Sequence, residues 1–442
     1  MGINISKHST GLKQLLLLCL YRATLSFAYV KGVVPTYSYM GFSANKDTII
    51  GIVCWFLFVI LAIRLITIKQ EGEFTFSKSV VYTLFLMIYT PFSVAISYGM
   101  YNIQFFIANN IYWFVMIFFL AIKSRRRLKP IPRFLLGRVK IGEKFITVFG
   151  IASLILILFI SWRYTGFRIN LSILNVYDLR SEARNFNMPV LLRYMFGWTR
   201  IVNSICLCIS LIRGKKIMSC IYFLNQLLSF GIDGMKSSLF IMIVEIVIYI
   251  LYRNKAYKNE YNLLSIGFNI ISIGSLVELL FFKTKWLVYL VLYRMEFLPV
   301  NISSNFFDFF THNVPDYFRS SFLRYFGFNS PYDNINYMIS SVYSGHNTNA
   351  NNGLISDAIT NMGYPGIVIM PIVLVLFFRY FDRCSQGINK YLVLTLSIYC
   401  AMTFSNMFFL PNLLTGGWLI AIVVVLIIDR EQTQHKIQEI RG

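Results

Sequence analysis

Side chains that could carry out acid–base chemistry lie in one polar segment, SGHNTNANNGLISDAITNMGYPG, which runs from Ser344 to Gly366. His346 precedes Asp357 by eleven residues, and the stretch between them is rich in asparagine. An imidazole has an unperturbed pKa of about 6.5, which suits a general base. A lone histidine in a loop is more often a hydrogen-bonded structural residue, and Asn and Gly favour turns. The residues alone leave both interpretations open.

Arginine is concentrated in a second segment, at 163–193 and just after it. The stretch contains no lysine, and its six arginines are Arg163, Arg168, Arg180, Arg184, Arg193 and Arg200. A guanidinium binds phosphate or carboxylate through two parallel hydrogen bonds, which an ammonium group cannot do. Arg180 and Arg184 are four residues apart and share a face if the segment is helical. The pattern favours an anion site; pairing with Asp178 and Glu182, or with lipid phosphates, is the alternative.

A further cation stands where a helix is expected to begin. Lys236 follows Gly231 and Gly234 in SFGIDGMKSSLF, and these glycines allow a tight turn before the next apolar run. Helix N-termini attract anions through free N–H groups and the helix dipole. Lys236 is therefore a candidate anion-binding residue, and an ordinary hairpin with a snorkelling lysine is the alternative.

Aromatic residues are frequent in the long segment that precedes His346. It begins with TKWLVYLVLYRMEFLPVN, which contains Arg294 and has a pattern typical of a helix in the membrane interface. FFDFFTHNVPDYFRSSFLRYFGF follows, with Arg319 and Arg324 among many Phe and Tyr. Rings beside carboxylates and amides suit a sugar site, because sugars stack on ring faces. The same composition suits a lid on the membrane surface, so both interpretations stay open.

The elements that must position these residues are apolar helices. Of the 442 residues, 57% are hydrophobic and 14% are charged, and the mean hydropathy is +0.61. A soluble domain carries about 25% charged residues. Runs of roughly 20 apolar residues recur along the chain, as in membrane-spanning helices, without the alternation of barrel strands. The sequence predicts an all-α, polytopic integral membrane protein with a single transmembrane domain over residues 1–442.

About twelve spans are predicted, at 14–34, 48–67, 79–99, 105–122, 145–162, 194–212, 217–231, 238–252, 262–281, 364–381, 391–410 and 413–428. Short loops rich in Lys and Arg face the cytoplasm, and Lys123–Lys144 holds nine basic residues and one Glu. An even number of spans places both termini on that side, with the first apolar run retained rather than cleaved. The loops at 163–193 and 282–363 are then expected to face outward, which in a bacterium is the periplasmic side of the inner membrane.

Charge and loop length exclude several function classes. Most of the net charge of +22 reflects topology and contact with membrane lipids rather than nucleic-acid binding. The longest cytoplasmic loop has about 22 residues, and the sequence contains no P-loop, G-x-G-x-x-G or Asp-x-Asp motif. Its four histidines show no zinc spacing, and no cysteine falls in an outward loop, so no structural disulfide is expected. We expect no ATP, nucleotide or metal cofactor.

Arg22, Glu245 and Glu278 are charged residues that lie inside predicted spans. A charge inside a membrane usually has a partner or a function. Structural pairing is the expectation for each, but the sequence does not identify the partners.

Several motifs together resemble the oligosaccharide repeat-unit polymerases, the Wzy-type O-antigen polymerases. The motifs are YSYMGFS, NVYDLRSEAR, YMFGWTR, GIDGMKSSLF, YRMEFLPVN and GHNTNANNGLISDAITNMGYPG. They cover most of the chain in the expected order. The resemblance implies a fold similar to the metal-independent C-type glycosyltransferases and to the O-antigen ligases.

The resemblance also implies an activity at the periplasmic face on undecaprenyl-pyrophosphate-linked glycans. A hydroxyl of the acceptor sugar would attack the anomeric carbon of the donor, and lipid pyrophosphate would leave. His346 would be the base and Asp357 would orient it. Asn347, Asn349, Asn351 and Asn352 would bind glycan. Pyrophosphate would be held by Arg180, Arg184, Arg193, Arg200, Lys236 and Arg294. A chain-length-regulating protein is a conceivable partner.

Two other functions remain as alternatives. An O-antigen ligase would use the same chemistry with lipid A core as the acceptor. A lipid-linked oligosaccharide flippase or other transporter would be expected to show internal repeats. No convincing repeat relates the two halves of this sequence, and transporters seldom need an outward loop of about 80 residues.

Overall fold

The computed structural model describes residues 2–45, 47–68, 74–122, 139–168, 179, 182–183, 185–257, 259–345 and 348–428. Every regular element within these residues is a helix, so the predicted all-α class is confirmed. The chain forms two compact units. Unit 1 comprises residues 1–124, 259–379 and 400–410, and unit 2 comprises 125–258, 380–399 and 411–442.

In the described residues of its first part, unit 1 contains six α-helices. They are α1 (Gly2–Ala28), α2 (Val34–Tyr37), α3 (Thr48–Thr67), α4 (Phe76–Leu84), α5 (Thr90–Ser97) and α6 (Ile103–Ala121). π-Helical turns at Tyr29–Val33 and Phe85–Tyr89 join α1 to α2 and α4 to α5, and a 3-10 turn at Ser38–Met40 follows α2. Asp47 and Asn102 cap α3 and α6 by accepting hydrogen bonds from free backbone N–H groups.

Among the described residues, unit 2 opens with four helices. They are α7 (Val139–Ile160), which ends in a π-helical turn at Ser161–Thr165, then α8 (Val190–Ile212), α9 (Lys216–Asp233) and α10 (Lys236–Arg253). Apolar side chains of α7, α8 and α9 meet in a cluster that includes Ile157, Phe196 and Ile232.

The chain then returns to unit 1. Its elements there are α11 (Glu260–Val277) with a π-helical end at Glu278–Phe282, a π-helical segment at Val288–Phe297, α12 (Leu298–His312), a 3-10 turn at Phe322–Phe326, α13 (Ile335–Ser344) and α14 (Ile355–Met362). Three helices contribute residues to both units: α15 (Gly366–Cys384), α16 (Lys390–Asn406) and α17 (Phe409–Leu414). The last helix, α18 (Trp418–Ile427), belongs to unit 2.

Eight helical segments of the described residues are long and apolar enough to cross a membrane. They are Thr10–Met40, Thr48–Thr67, Phe76–Ser97, Ile103–Ala121, Thr147–Thr165, Val190–Ile212, Glu260–Phe282 and Phe409–Ile427. Each coincides with a predicted span. The other four predicted spans correspond to α9, α10, α15 and α16, which are helical but are not among these eight. The architecture is compatible with a polytopic membrane protein, and the number twelve remains a prediction.

The core of unit 1 surrounds the helix formed by α4 and α5, which is buried along its whole length. Arg22 of α1 is buried here, and its guanidinium donates to the Ser93 hydroxyl and carbonyl and to the Ser97 hydroxyl, all at 3.0–3.1 Å. It also lies 3.9 Å from the ring centroid of Trp55. Hydroxyl and carbonyl oxygens of α5, with an aromatic ring, therefore satisfy Arg22.

Glu278 has a capping role at the end of α11. Its carboxylate accepts hydrogen bonds from the backbone N–H groups of Trp286 and Leu287 at 2.6 and 2.7 Å, and from the Thr284 hydroxyl at 2.8 Å. These N–H groups begin the next helical segment and lack intrahelical partners. Glu278 therefore has a structural role, as expected, but its main partners are backbone N–H groups rather than a cation.

The region before α15 covers one end of unit 1. Phe307 of α12 contacts Phe105 at the start of α6 and Tyr364 just before α15, with ring centroids 5.5 and 6.1 Å apart. At the other end of α15, Arg379 donates to the carbonyl of Leu120, near the last residue of α6. α6 and α15 therefore run in the same direction, and the long region lies where both begin.

Candidate functional site

Arg200 of α8 lies in a small polar cleft of unit 2. Its Nη2 forms an ion pair with Asp233, the last residue of α9, and both side chains are mostly buried. The guanidinium lies 4.9 Å from the ring centroid of Phe196, and Nη1 contacts the sulfur of Met235. Its buried Nε–H has no hydrogen-bond partner among the described residues. A ligand oxygen or a water molecule would satisfy this donor.

The remaining lining of the cleft is neutral and combines polar and apolar side chains. It is formed by Gln226, Ser229, Ser238, Ile241 and Tyr399. Gln226 is 3% exposed, and its Oε1 has no hydrogen-bond partner within the described part of the chain. The cleft thus offers one cation, hydroxyl groups and unused hydrogen-bonding capacity around a space of about 10 Å³. Such a space admits a single water-sized polar group, for example one oxygen of an anion.

The start of α10 adjoins this cleft. Asp233 accepts a hydrogen bond from the Met235 backbone N–H at 3.1 Å, and Gly234 has a left-handed backbone with φ of +64° that favours glycine. Lys236 is the first residue of α10, as predicted, and Ser238 of its first turn lines the cleft. Free N–H groups at a helix N-terminus favour an anion here. Because Asp233 already pairs with Arg200, such an anion must share the guanidinium with it.

Glu245 lies behind the cleft on α10 and is fully buried. It accepts hydrogen bonds from Ser204 and from the amide of Gln226, which also lines the cleft. Its backbone carbonyl accepts from the Tyr391 hydroxyl at 2.9 Å. Glu245 is therefore held by neutral donors, and Gln226 connects it to the surroundings of Arg200.

The other arginines of the first loop are distributed differently. Arg193 is exposed on α8, two turns before Arg200. Arg168 forms an ion pair with Glu182. For this residue, the alternative interpretation, in which the arginine pairs with an acidic side chain, applies. Arg180 and Arg184 lie outside the described residues. The structure thus brings Arg200 close to the start of α10, and the convergence of the whole predicted set stays a prediction.

Arg294 belongs to unit 1, in the π-helical segment Val288–Phe297. It is half-buried, with its guanidinium 4.7 Å from the ring centroid of Tyr289. The next ring on this segment, Tyr293, stacks on Tyr37 at 3.7 Å. Lys285 donates to the Thr36 hydroxyl beside Tyr37. Arg294 therefore stands in a tyrosine-rich, basic surface, a chemistry that suits a phosphorylated sugar.

The asparagines of the polar segment fall into two groups. His346 and Asn347 lie outside the described residues. Asn349 and Asn351 are exposed, which leaves their amides accessible to a glycan. Asn352 is buried at 3% exposure.

The buried amide of Asn352 attaches the polar segment to α12. It donates to the Pro299 carbonyl at 2.7 Å and to the Ser303 hydroxyl at 2.9 Å. In addition, the Gly353 N–H donates to the Ser405 carbonyl of α16 at 3.1 Å. These bonds fix the position of the chain just after His346, so Asn352 supports the segment from within.

Asp357 of α14 is also buried, at 2% exposure, and both carboxylate oxygens are engaged. One accepts from the Asn361 side chain and the other from the backbone N–H of Phe409, the first residue of α17, each at 2.6 Å. Burial raises the pKa of Asp357 to about 7. The carboxyl group joins α14 to the start of α17, and a catalytic role would add to this structural one.

Asp357→Asn and Asp357→Ala separate the contributions of charge and hydrogen bonding. Because the folded pKa is about 7 and the unfolded pKa is about 3.9, the folded protein retains a proton that the unfolded chain releases. Stability contributed by this group is therefore full below about pH 4 and is lost as the pH rises to about 7. We expect the Asn variant to remove this pH dependence while still accepting from Phe409.

The Ala variant leaves the Phe409 N–H without its acceptor, which costs about 1–3 kcal/mol. Thermal unfolding of the detergent-solubilised protein from pH 4.5 to 7.5 is the measurement for wild type and both variants. A pH dependence that persists unchanged in Asp357→Asn would show that another group is responsible.

Sequence patterns did not identify several residues of the Arg200 cleft. Asp233 is part of the GIDG motif that indicated a turn, but nothing in the motif indicated its pairing with Arg200. Gln226 and Tyr399 come from separate helices without any distinctive spacing. Only the fold brings them together.

Comparison with known proteins adds no family assignment. No protein-family model matches the chain, and no curated protein or solved structure matches it significantly. Within the part of the chain that the structure describes, no group of three or more His, Cys, Asp or Glu side chains could hold a metal ion. For the residues that the structure describes, fold and site define an all-helical protein with eight candidate membrane helices and a mostly buried cationic cleft.

Proposed function

We propose that this protein polymerises undecaprenyl-pyrophosphate-linked oligosaccharide repeat units into O-antigen or a similar surface polysaccharide at the periplasmic face of the inner membrane. The observation that supports it most is the Arg200 cleft, where a mostly buried guanidinium with an unused Nε–H lies beside the start of α10. A phosphate oxygen fits such a donor set. The motif resemblance supplies the substrate.

The reaction joins two lipid-linked glycans. The acceptor hydroxyl oxygen forms a bond to the anomeric carbon of the donor, and the bond from that carbon to the pyrophosphate oxygen breaks. His346 takes the hydroxyl proton, and undecaprenyl pyrophosphate leaves with the bonding electron pair. The donor pyrophosphate supplies the driving force, so the step requires no ATP.

Arg200 would act on the leaving group. Negative charge grows on the pyrophosphate oxygen as its bond to the anomeric carbon of the donor breaks, and a preorganised guanidinium stabilises that charge more than it stabilises the ground state. The Asp233 carboxylate holds the guanidinium in place before the substrate arrives. Asn349 and Asn351, which are exposed, would contact glycan near His346.

The glycan phenotype of a strain lacking this protein tests the proposal. We expect lipopolysaccharide that carries a single repeat unit, with polymer restored by the wild-type chain and not by the Arg200→Gln chain. Gel analysis of extracted lipopolysaccharide measures this. Bare core without any repeat unit would indicate the ligase alternative, and accumulation of lipid-linked units on the cytoplasmic side would indicate the flippase.

A further inference from the structure

Exposed aromatic side chains cluster in residues 313–328, named here the aromatic loop. Its exposed apolar and aromatic residues are Val314, Tyr317, Tyr325, Phe326 and Phe328. Phe326 is 71% exposed and Phe328 53% exposed. Leaving phenylalanine rings in water forfeits the stabilisation that burial of their apolar surface would give. Such a concentration on one loop indicates a surface that another apolar phase covers.

Hydrogen bonds hold the aromatic loop in a defined shape. The Asp316 N–H donates to the Thr360 carbonyl at 2.7 Å, and the Phe318 N–H donates to the Asn361 side chain at 2.8 Å. Tyr317 and Phe318 both have positive φ angles, 54° and 63°, which bulky residues seldom adopt. These contacts with α14 offset the backbone strain, so the fold itself directs the loop outward.

The exposed charge of the aromatic loop, that of Arg324, is positive. Asp316, the single acidic residue of 313–328, is buried and accepts hydrogen bonds from the Ser320 N–H and the Ser330 hydroxyl. Arg324 is exposed beside the ring of Tyr325. A carboxylate acceptor beside the rings would favour a sugar platform, and here the carboxylate of Asp316 points inward. Arg319 is half-buried and donates to the carbonyls of Pro315 and Asp316. The exposed guanidinium of Arg324 among rings instead complements a lipid phosphate.

The aromatic loop is also adjacent to the starts of two long helices. A Cβ atom added at Gly363 would lie 3.2 Å from the Pro315 side chain, so the two residues are close neighbours. Gly363 is three residues before α15. The exposed ring of Tyr364 follows directly and contacts Phe307, which in turn contacts the start of α6. α6 is one of the candidate membrane helices. The loop therefore lies at the level where helices of unit 1 would leave the bilayer.

We propose that the aromatic loop docks into the headgroup region of the bilayer, with Phe326 and Phe328 at the acyl boundary and Arg324 on lipid phosphates. Aromatic rings and arginines favour this interfacial layer. The sequence left two interpretations open, a lid on the membrane surface and a sugar site. The exposed phenylalanines and the buried Asp316 favour the membrane surface. This docking does not depend on the proposed enzymatic function.

Tryptophan fluorescence in nanodiscs tests the docking. Phe326→Trp is reconstituted in phosphatidylcholine–phosphatidylglycerol nanodiscs with and without bromine on the acyl chains, and wild-type fluorescence is subtracted. We expect brominated lipid to quench most of the added fluorescence. Ile111→Trp, on an exposed face of the candidate membrane helix α6, is the control for a lipid-facing position.

Phe328→Trp provides a second position if the first variant does not give a monodisperse protein. Added fluorescence that brominated lipid leaves unchanged, and that aqueous acrylamide quenches, would overturn the proposal. Protection from acrylamide by a lipid-linked glycan, without quenching by brominated lipid, would also overturn it and would identify the aromatic loop as a sugar site.

Discussion

His346→Ala should slow polymer synthesis by the purified protein by about 10²–10⁴-fold, the usual contribution of a positioned general base. The acceptor hydroxyl has a pKa far above that of imidazole, so its proton must move as the new glycosidic bond forms. This requires His346 to lie within hydrogen-bond reach of the acceptor oxygen, directly or through one water molecule. Donor binding should survive, because the imidazole has no role in holding pyrophosphate.

His346→Gln is the matched control for this prediction. Glutamine retains a hydrogen-bonding side chain but cannot take up the proton, so we expect it to be nearly as slow as alanine. Both variants must elute and unfold like wild type. Near-normal synthesis by His346→Ala would remove His346 from the mechanism.

Asp357 and Glu296 would then be the next candidates for the base. Asp357 already uses both oxygens, on Asn361 and Phe409. Glu296 is 1% exposed. Either residue would have to become accessible when the glycans bind, because both side chains are buried.

Arg200→Lys should lower the turnover rate by about 10²–10³-fold, the effect typical of losing one preorganised donor to a developing anion. Lysine retains the positive charge and can still pair with Asp233, but it cannot present the planar set of N–H groups. The comparison therefore isolates hydrogen-bond geometry from net charge. Arg200→Gln should be slower still, because it removes the charge and leaves Asp233 without its cation.

Initial rates with a defined lipid-linked repeat unit measure this effect. Arg253→Lys, at the exposed end of α10, is the matched control and should leave the rate unchanged. If Arg200→Lys works as well as wild type at donor concentrations both below and above KM, the Arg200 cleft does not bind the leaving pyrophosphate.

Local sequence patterns predicted the helices of this protein well. Apolar runs located each of the eight candidate membrane helices, because the length and composition needed to cross a bilayer are properties of a contiguous segment. The start of α10 at Lys236 was predicted for a similar reason. Gly234 permits the left-handed turn that separates it from α9, and that preference is visible in the sequence.

Side-chain contacts between residues far apart in the chain could not be predicted from the sequence. Arg22 is satisfied by Ser93 and Ser97, about seventy residues away, and nothing in its neighbourhood indicated neutral partners. The ion pair of Arg200 with Asp233 joins two helices in the same way. Asn352 has the same side chain as exposed Asn349, yet it is buried against α12, so residue type alone could not separate supporting asparagines from accessible ones.

Polymerisation by the purified protein is the most direct test of the central proposal. A defined undecaprenyl-pyrophosphate-linked repeat unit is incubated with the protein in detergent or liposomes, without nucleotide and with a metal chelator. The proposal predicts a ladder of products that increases by one repeat unit at a time, with one undecaprenyl pyrophosphate released for each linkage. Substrate that stays at one repeat unit, or that is consumed only when lipid A core is supplied as acceptor, would contradict it.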